Sequence, residues 1–142
     1  MRILRYVLGA LIGAYALFSL FPIATDAAFK LGMYDNPTGV VARMIPLWQA
    51  TSWWHLVLWL VVVALFLVAA WRLLRGGRAL APYAAAFILD MVLWATMKTL
   101  PAYRQVFTPA ELQSDGYILA FMVVCGVLIW FVERRPAQPA QA

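Results

Sequence analysis

Asp90 stands in the middle of an otherwise apolar run, with Phe87-Ile88-Leu89 before it and Met91-Val92-Leu93 after it. An acidic side chain at the centre of a membrane helix costs about 2.5–3.5 kcal/mol on insertion scales, so it is expected to face protein and not lipid. Two kinds of chemistry fit such a group. It can bind a proton or a cation, or it can serve as a hydrogen-bonded carboxyl that holds two helices together. Counting from the midpoints of the apolar runs, Tyr15 in the first run lies at a similar depth, as does Cys125 in the last. Tyr15 and Ser19 are one turn apart on one helical face and could both reach the Asp90 carboxyl. Lys98 is the nearest cation on the same run, but it lies two turns away, about 12 Å along the axis, and is expected to extend to the membrane surface.

His55 is the one histidine of the chain. A single copy cannot supply two axial imidazoles to a haem, and no cluster with metal-ligand spacing accompanies it. Only a symmetric oligomer could provide a second imidazole. The sequence favours a hydrogen-bonded histidine at the membrane interface. It lies about 10 Å shallower than Asp90 by helical rise, so a water-linked relay is the alternative to a direct pair. The lone cysteine, Cys125, sits in an apolar run and reads as a small core residue. Four acids in the connections, Asp26, Asp35, Glu111 and Asp115, could jointly hold a cation. No nucleophile–base pair is visible, so no catalytic residue, metal or cofactor is assigned.

The elements that carry these residues follow from composition. Apolar residues make up 65% of the 142 and charged residues only 12%, against about half and a quarter in soluble domains. Mean hydropathy is +0.83. A soluble domain this small could not cover so much apolar surface. Lipid is the solvent that suits it. The net charge of +5 comes from short basic clusters beside apolar runs, with no interleaved aromatics, which argues against nucleic acid as a partner.

Four apolar runs appear, Tyr6–Ile23, Trp53–Leu74, Ala79–Met97 and Tyr117–Val132. Each is long enough, or nearly so, for the roughly 20 residues that cross a bilayer. They predict an all-α, four-helix transmembrane bundle forming one domain over residues 1–135, with helices at about 5–25, 52–74, 79–98 and 109–133. Thr108-Pro109-Ala110-Glu111 is a capping box with proline at the first helical position, so the last helix starts well before its apolar stretch. The apolar core of the first run exceeds that of a signal peptide, and it is expected to stay uncleaved. The tail Pro136–Ala142 contains only Pro, Ala and Gln, and is expected to be disordered.

Arg2, Arg5, Arg72, Arg75, Arg78, Arg134 and Arg135 fall at one end of the bundle, seven of the eleven basic residues. By the positive-inside rule they belong in the cytoplasm, giving both termini inside and a bacterial-type inner-membrane location. Arg75-Gly76-Gly77-Arg78 is a tight turn that makes its two helices antiparallel neighbours. The first outer connection is long, carries the turn Asp35-Asn36-Pro37-Thr38-Gly39, and has in Val40–Leu47 a candidate for a short helix on the membrane face. Trp48, Trp53 and Trp54 are expected to anchor the outer interface. Gly9 and Gly13, beside Ala10 and Ala14, make a small-residue face for close packing, within the bundle or in a homodimer.

The lipid bilayer is thus one expected partner, with other membrane subunits or a second copy as further ones. The leading functional expectation is a non-enzymatic accessory, assembly or interaction subunit of a membrane complex. The alternatives are a proton- or cation-coupled carrier or channel component using Asp90, and an enzyme acting on a lipid or quinone.

Overall fold

A computed structural model describes residues 2–134, so Arg135 and the Pro136–Ala142 tail lie outside the described residues. The described residues are helical and contain no strand. The chain order is α1 (Arg2–Lys30), α2 (Gly39–Ala50), α3 (Trp53–Leu74), α4 (Leu80–Lys98), α5 (Pro101–Val106) and α6 (Pro109–Arg134). The helices α1, α3, α4 and α6 are long and apolar enough to cross a membrane. The protein is a multi-pass membrane bundle by that measure.

Local chemistry sets the boundaries. α1 runs seven residues past Ile23, through Pro22, and so extends beyond its expected end near residue 25. Proline removes one backbone donor, so the carbonyl of Phe18 loses its partner. Thr25 Oγ1 donates back to the Pro22 carbonyl at 2.9 Å, and Asp26 pairs with Lys30 one turn on. The helix continues past the proline to Lys30. It then ends on Gly32 at φ +72, where the amides of Gly32 and Met33 bond back to Phe29 and Ala28. α3 closes in the same way, with Gly76 at φ +76 and the Gly77 amide reaching the Arg72 carbonyl at 2.7 Å. Only a residue without Cβ takes this left-handed position at little cost.

Two short helices fill the connections. α2 occupies the segment expected to be helical. It packs against α5, and Leu47, Met97, Tyr103 and Val106 form a second apolar cluster there. α5 sits in a stretch without an apolar run. Pro101 is its first residue and holds Leu100 extended, which separates α5 from α4. The Thr108–Glu111 capping box forms, with the Thr108 amide 2.8 Å from Glu111 Oε2 and the Glu111 amide 3.3 Å from Thr108 Oγ1.

The main core lies where α1, α3, α4 and α6 meet, around Leu8, Ile12, Phe66, Tyr83, Met122 and Ile129. In lipid, apolar burial gives little driving force between helices, so close fit and hydrogen bonds carry the association. Gly9 meets α3 of the same chain: a Cβ there would fall 2.9 Å from Leu74 Cγ and 3.1 Å from the Ala70 carbonyl oxygen. Tyr83 of α4 donates from its hydroxyl to the Met122 carbonyl of α6 at 2.5 Å. At the arginine-bearing end, Glu133 of α6 accepts from the Ala79 and Leu80 amides at 2.5 and 3.0 Å, which caps α4. Arg5 of α1 donates to the Gly76 carbonyl at 2.6 Å. Large apolar side chains such as Phe18, Phe21, Val57, Val92 and Val124 stay exposed around the outside, as a lipid-facing surface requires.

Candidate functional site

The opposite end holds a cavity of about 320 Å³ between α1, α2, α3, α4, α5 and α6. Its wall includes three carboxylates, Asp26, Asp90 and Asp115, together with Trp59, Trp94 and Tyr103. A smaller cavity of about 140 Å³ is lined by Tyr15, Ser19 and Met122, and shares Trp59, Asp90, Trp94 and Asp115 with the first. Asp90 therefore borders both spaces.

The three carboxylates differ in their partners. Asp26 is 3% exposed, and its Oδ1 lies 3.0 Å from Lys30 Nζ. Its Oδ2 accepts from Thr51 Oγ1 at 3.0 Å. The ammonium of Lys30 also donates to the carbonyls of Trp48 and Thr51, the latter at 2.9 Å. Asp26 Oδ1 accepts no hydrogen bond among the described residues, so the Lys30 charge alone offsets its desolvation. The pair ties the end of α1 to the end of α2. Asp115 accepts from the Tyr103 hydroxyl at 2.9 Å and has Lys98 Nζ at 3.8 Å. The Lys98 ammonium lies 3.6 Å from the centre of the Trp94 ring. Burial, and then the bond to Asp115, hold the Tyr103 hydroxyl well above the usual tyrosine range.

Asp90 has neither kind of partner. It is half-buried, and no hydrogen bond or ion pair reaches its side chain among the described residues. With Asp26 matched by Lys30 and Asp115 near Lys98, Asp90 is the carboxyl of this wall that lacks a counter-charge. Tyr15 and Ser19 come to the same cavity as Asp90, but neither bonds to it. The Ser19 hydroxyl donates to the Tyr15 carbonyl at 2.9 Å, and the Tyr15 ring meets Phe66 edge-on at 5.7 Å. The Asp90–Tyr15 hydrogen bond that the helix-glue alternative calls for is not formed among the described residues.

His55 lines neither cavity. It is buried near the start of α3, where its Nδ1 accepts from the Ser52 amide at 3.1 Å and its ring stacks on Trp54. Its local work is to cap α3. Trp53 and Trp54 are exposed at 53% and 52%, whereas Trp48 is 6% exposed and packs against Phe29 and Tyr34. Trp48 is thus a buried residue of the α2 lobe and not an exposed anchor. The four acids of the connections do not gather into one cation site. Glu111 pairs with Arg43 at 2.9 Å, Asp35 is exposed, and only Asp26 and Asp115 share a cavity. Among the described residues no three or more of His, Cys, Asp and Glu come together in a group that could hold a metal ion.

Sequence reasoning missed the Asp26–Lys30–Thr51 cluster. The one signal available was the four-residue spacing of Asp26 and Lys30, which places opposite charges on one helical face. Comparison with known proteins gives no match: no family model, no characterised protein and no solved structure aligns with this chain.

Proposed function

We propose that the protein is a carrier or channel component of the membrane that takes up a proton or a small cation at Asp90. One observation carries this reading. A carboxyl in the middle of a spanning helix borders two cavities and has no internal counter-charge, and intramembrane acids of that kind mark ion and proton pathways. The Trp59 ring, which lines both cavities with Asp90, suits a cation, since indole faces attract positive charge. Four helices enclose little space, so the working unit is an oligomer. The arginine-bearing end faces the cytoplasm of a bacterial-type inner membrane, and the cavity opens towards the outer side.

The test is flux in liposomes that contain the full chain and a trapped pH-sensitive dye, with a potassium gradient and valinomycin setting the potential. The wild-type protein passes protons, or sodium when a sodium-sensitive dye replaces the pH dye, and Asp90→Asn stops this while retaining its helical circular dichroism. Equal flux through both proteins, or none through the wild type, would overturn the proposal.

A second reading, an accessory or assembly subunit, is supported by Leu31 and Met33. They are exposed at 66% and 71% in the turn after α1, beyond the apolar run, where a partner subunit could cover them. Mild extraction at native expression then brings down a partner in fixed ratio; recovery of a lone chain speaks against it.

A further inference from the structure

A groove runs along the outside of the α1–α3 pair, away from the Asp90 cavities. Its floor is formed by Gly9, Gly13 and Ala70, and its sides by Ala14, Leu17 and Leu67. The floor is low because α1 carries glycine and alanine here. At the arginine-bearing end the groove meets a second cleft lined by Arg2, Arg5, Tyr6 and Arg75, with Leu74 common to both. An apolar trough thus leads into a cationic mouth.

Charge at that mouth is unbalanced. Arg2 has no hydrogen bond or ion pair among the described residues. Arg5 bonds only to the carbonyls of the Gly76–Gly77 turn, and Arg75 lies over the Trp71 ring. Among the described residues the one carboxylate at this end, Glu133, is committed to the amides that start α4. The three guanidiniums therefore present donors with no protein anion to meet them among the described residues, which is the arrangement that binds lipid phosphates at a membrane surface. Length agrees as well. From Tyr6 to Leu17 the helix rises about 16 Å, close to the roughly 15 Å depth of one leaflet's hydrocarbon.

We propose that this groove and mouth bind one anionic phospholipid, its phosphate between Arg2, Arg5 and Arg75 and an acyl chain along Gly9, Gly13 and Ala14. The site is independent of the function proposed for Asp90. A neutral or zwitterionic lipid would leave the guanidiniums without a net negative partner. A second copy of the chain would bring further arginines to the same mouth.

Native mass spectrometry of the purified, delipidated full chain tests this, with phosphatidylglycerol and phosphatidylcholine offered in equal amounts. The expected result is one phosphatidylglycerol adduct, favoured roughly tenfold or more over phosphatidylcholine. Arg2→Gln with Arg75→Gln should remove that preference. Ala10→Leu with Ala14→Leu, both at exposed positions, should fill the trough and weaken the adduct while leaving every arginine in place. Excess inorganic phosphate should fail to displace the lipid. Equal retention of the two lipids, adducts indifferent to both double variants, displacement by phosphate alone, or a mass shift from dimer to monomer in the Ala10/Ala14 variant would each overturn the proposal.

Discussion

The Lys30 ammonium and the Asp26 carboxylate face each other at 3.0 Å, one turn apart on α1, with side chains only 10% and 4% exposed. Removing one partner would leave the other charged and buried, at a cost of about 3–5 kcal/mol. Lys30→Met is therefore expected to lower the thermal midpoint sharply. The double variant Lys30→Met with Asp26→Asn should recover much of the loss, because no uncompensated charge is left. Thermal unfolding in detergent, followed by circular dichroism, measures all three. A single variant as stable as wild type would show that the pair does not hold the end of α1.

Asp90 predicts the opposite behaviour. No hydrogen bond is lost on Asp90→Asn, and a costly carboxyl leaves the middle of a spanning helix. Stability should be unchanged or higher while flux is lost. That split distinguishes an ion site from helix glue, because glue would weaken when the carboxyl is replaced. The same melting assay gives the answer, with Tyr83→Phe as the contrasting case. Losing its bond to the Met122 carbonyl should cost about 1 kcal/mol.

Gly9 and Gly13 look equivalent in the sequence but should respond differently. At Gly9 an added Cβ meets Leu74 Cγ at 2.9 Å and the Ala70 carbonyl oxygen at 3.1 Å. The leucine can turn aside, but the backbone oxygen cannot, so Gly9→Ala should cost about 1–3 kcal/mol. At Gly13 the nearest atom is Ala70 Cβ at 3.6 Å, an ordinary contact. Gly13→Ala should then be neutral or stabilising by up to about 1 kcal/mol, from helix propensity. Melting midpoints of the two single variants, measured side by side, check the difference.

The four spanning helices were legible because their signal is additive: some twenty apolar side chains in a row outweigh any single residue. Pro22 shows where that reading stops. Proline alone argues for a helix end, yet α1 continues to Lys30, and the Asp26–Lys30 pair beyond it is only two residues in the pattern. α5 has no apolar run, so only Pro101 marked its start. The site was legible in part for a related reason. Depth along a helix can be counted, which brought Tyr15, Ser19 and Asp90 to one level. Which way each hydroxyl points is set by rotation and local bonding, and Ser19 bonds to its own helix. Thr51 and Asp26 are 25 residues apart, a pairing that only the fold of the α2 segment creates.

Tyr103 offers a test by pH. Its hydroxyl donates to Asp115 Oδ2 at 2.9 Å, and burial, followed by that carboxylate, raises its pKa above the usual value. The folded protein thus holds this proton more tightly than the unfolded chain, which releases it near pH 10. A raised value contributes stability that is complete below the unfolded value and is lost as pH climbs through the folded one. Wild type should therefore exceed Tyr103→Phe in stability at pH 8, by about 0.5–1.5 kcal/mol for the hydrogen bond. The advantage should shrink as pH rises above 10. Lys98, which also lies near Asp115, is present in both proteins and drops out of the difference. Melting curves of the two proteins between pH 8 and pH 11 read this directly. A gap that stays constant or widens over that range would show that burial and Asp115 together do not hold the Tyr103 proton.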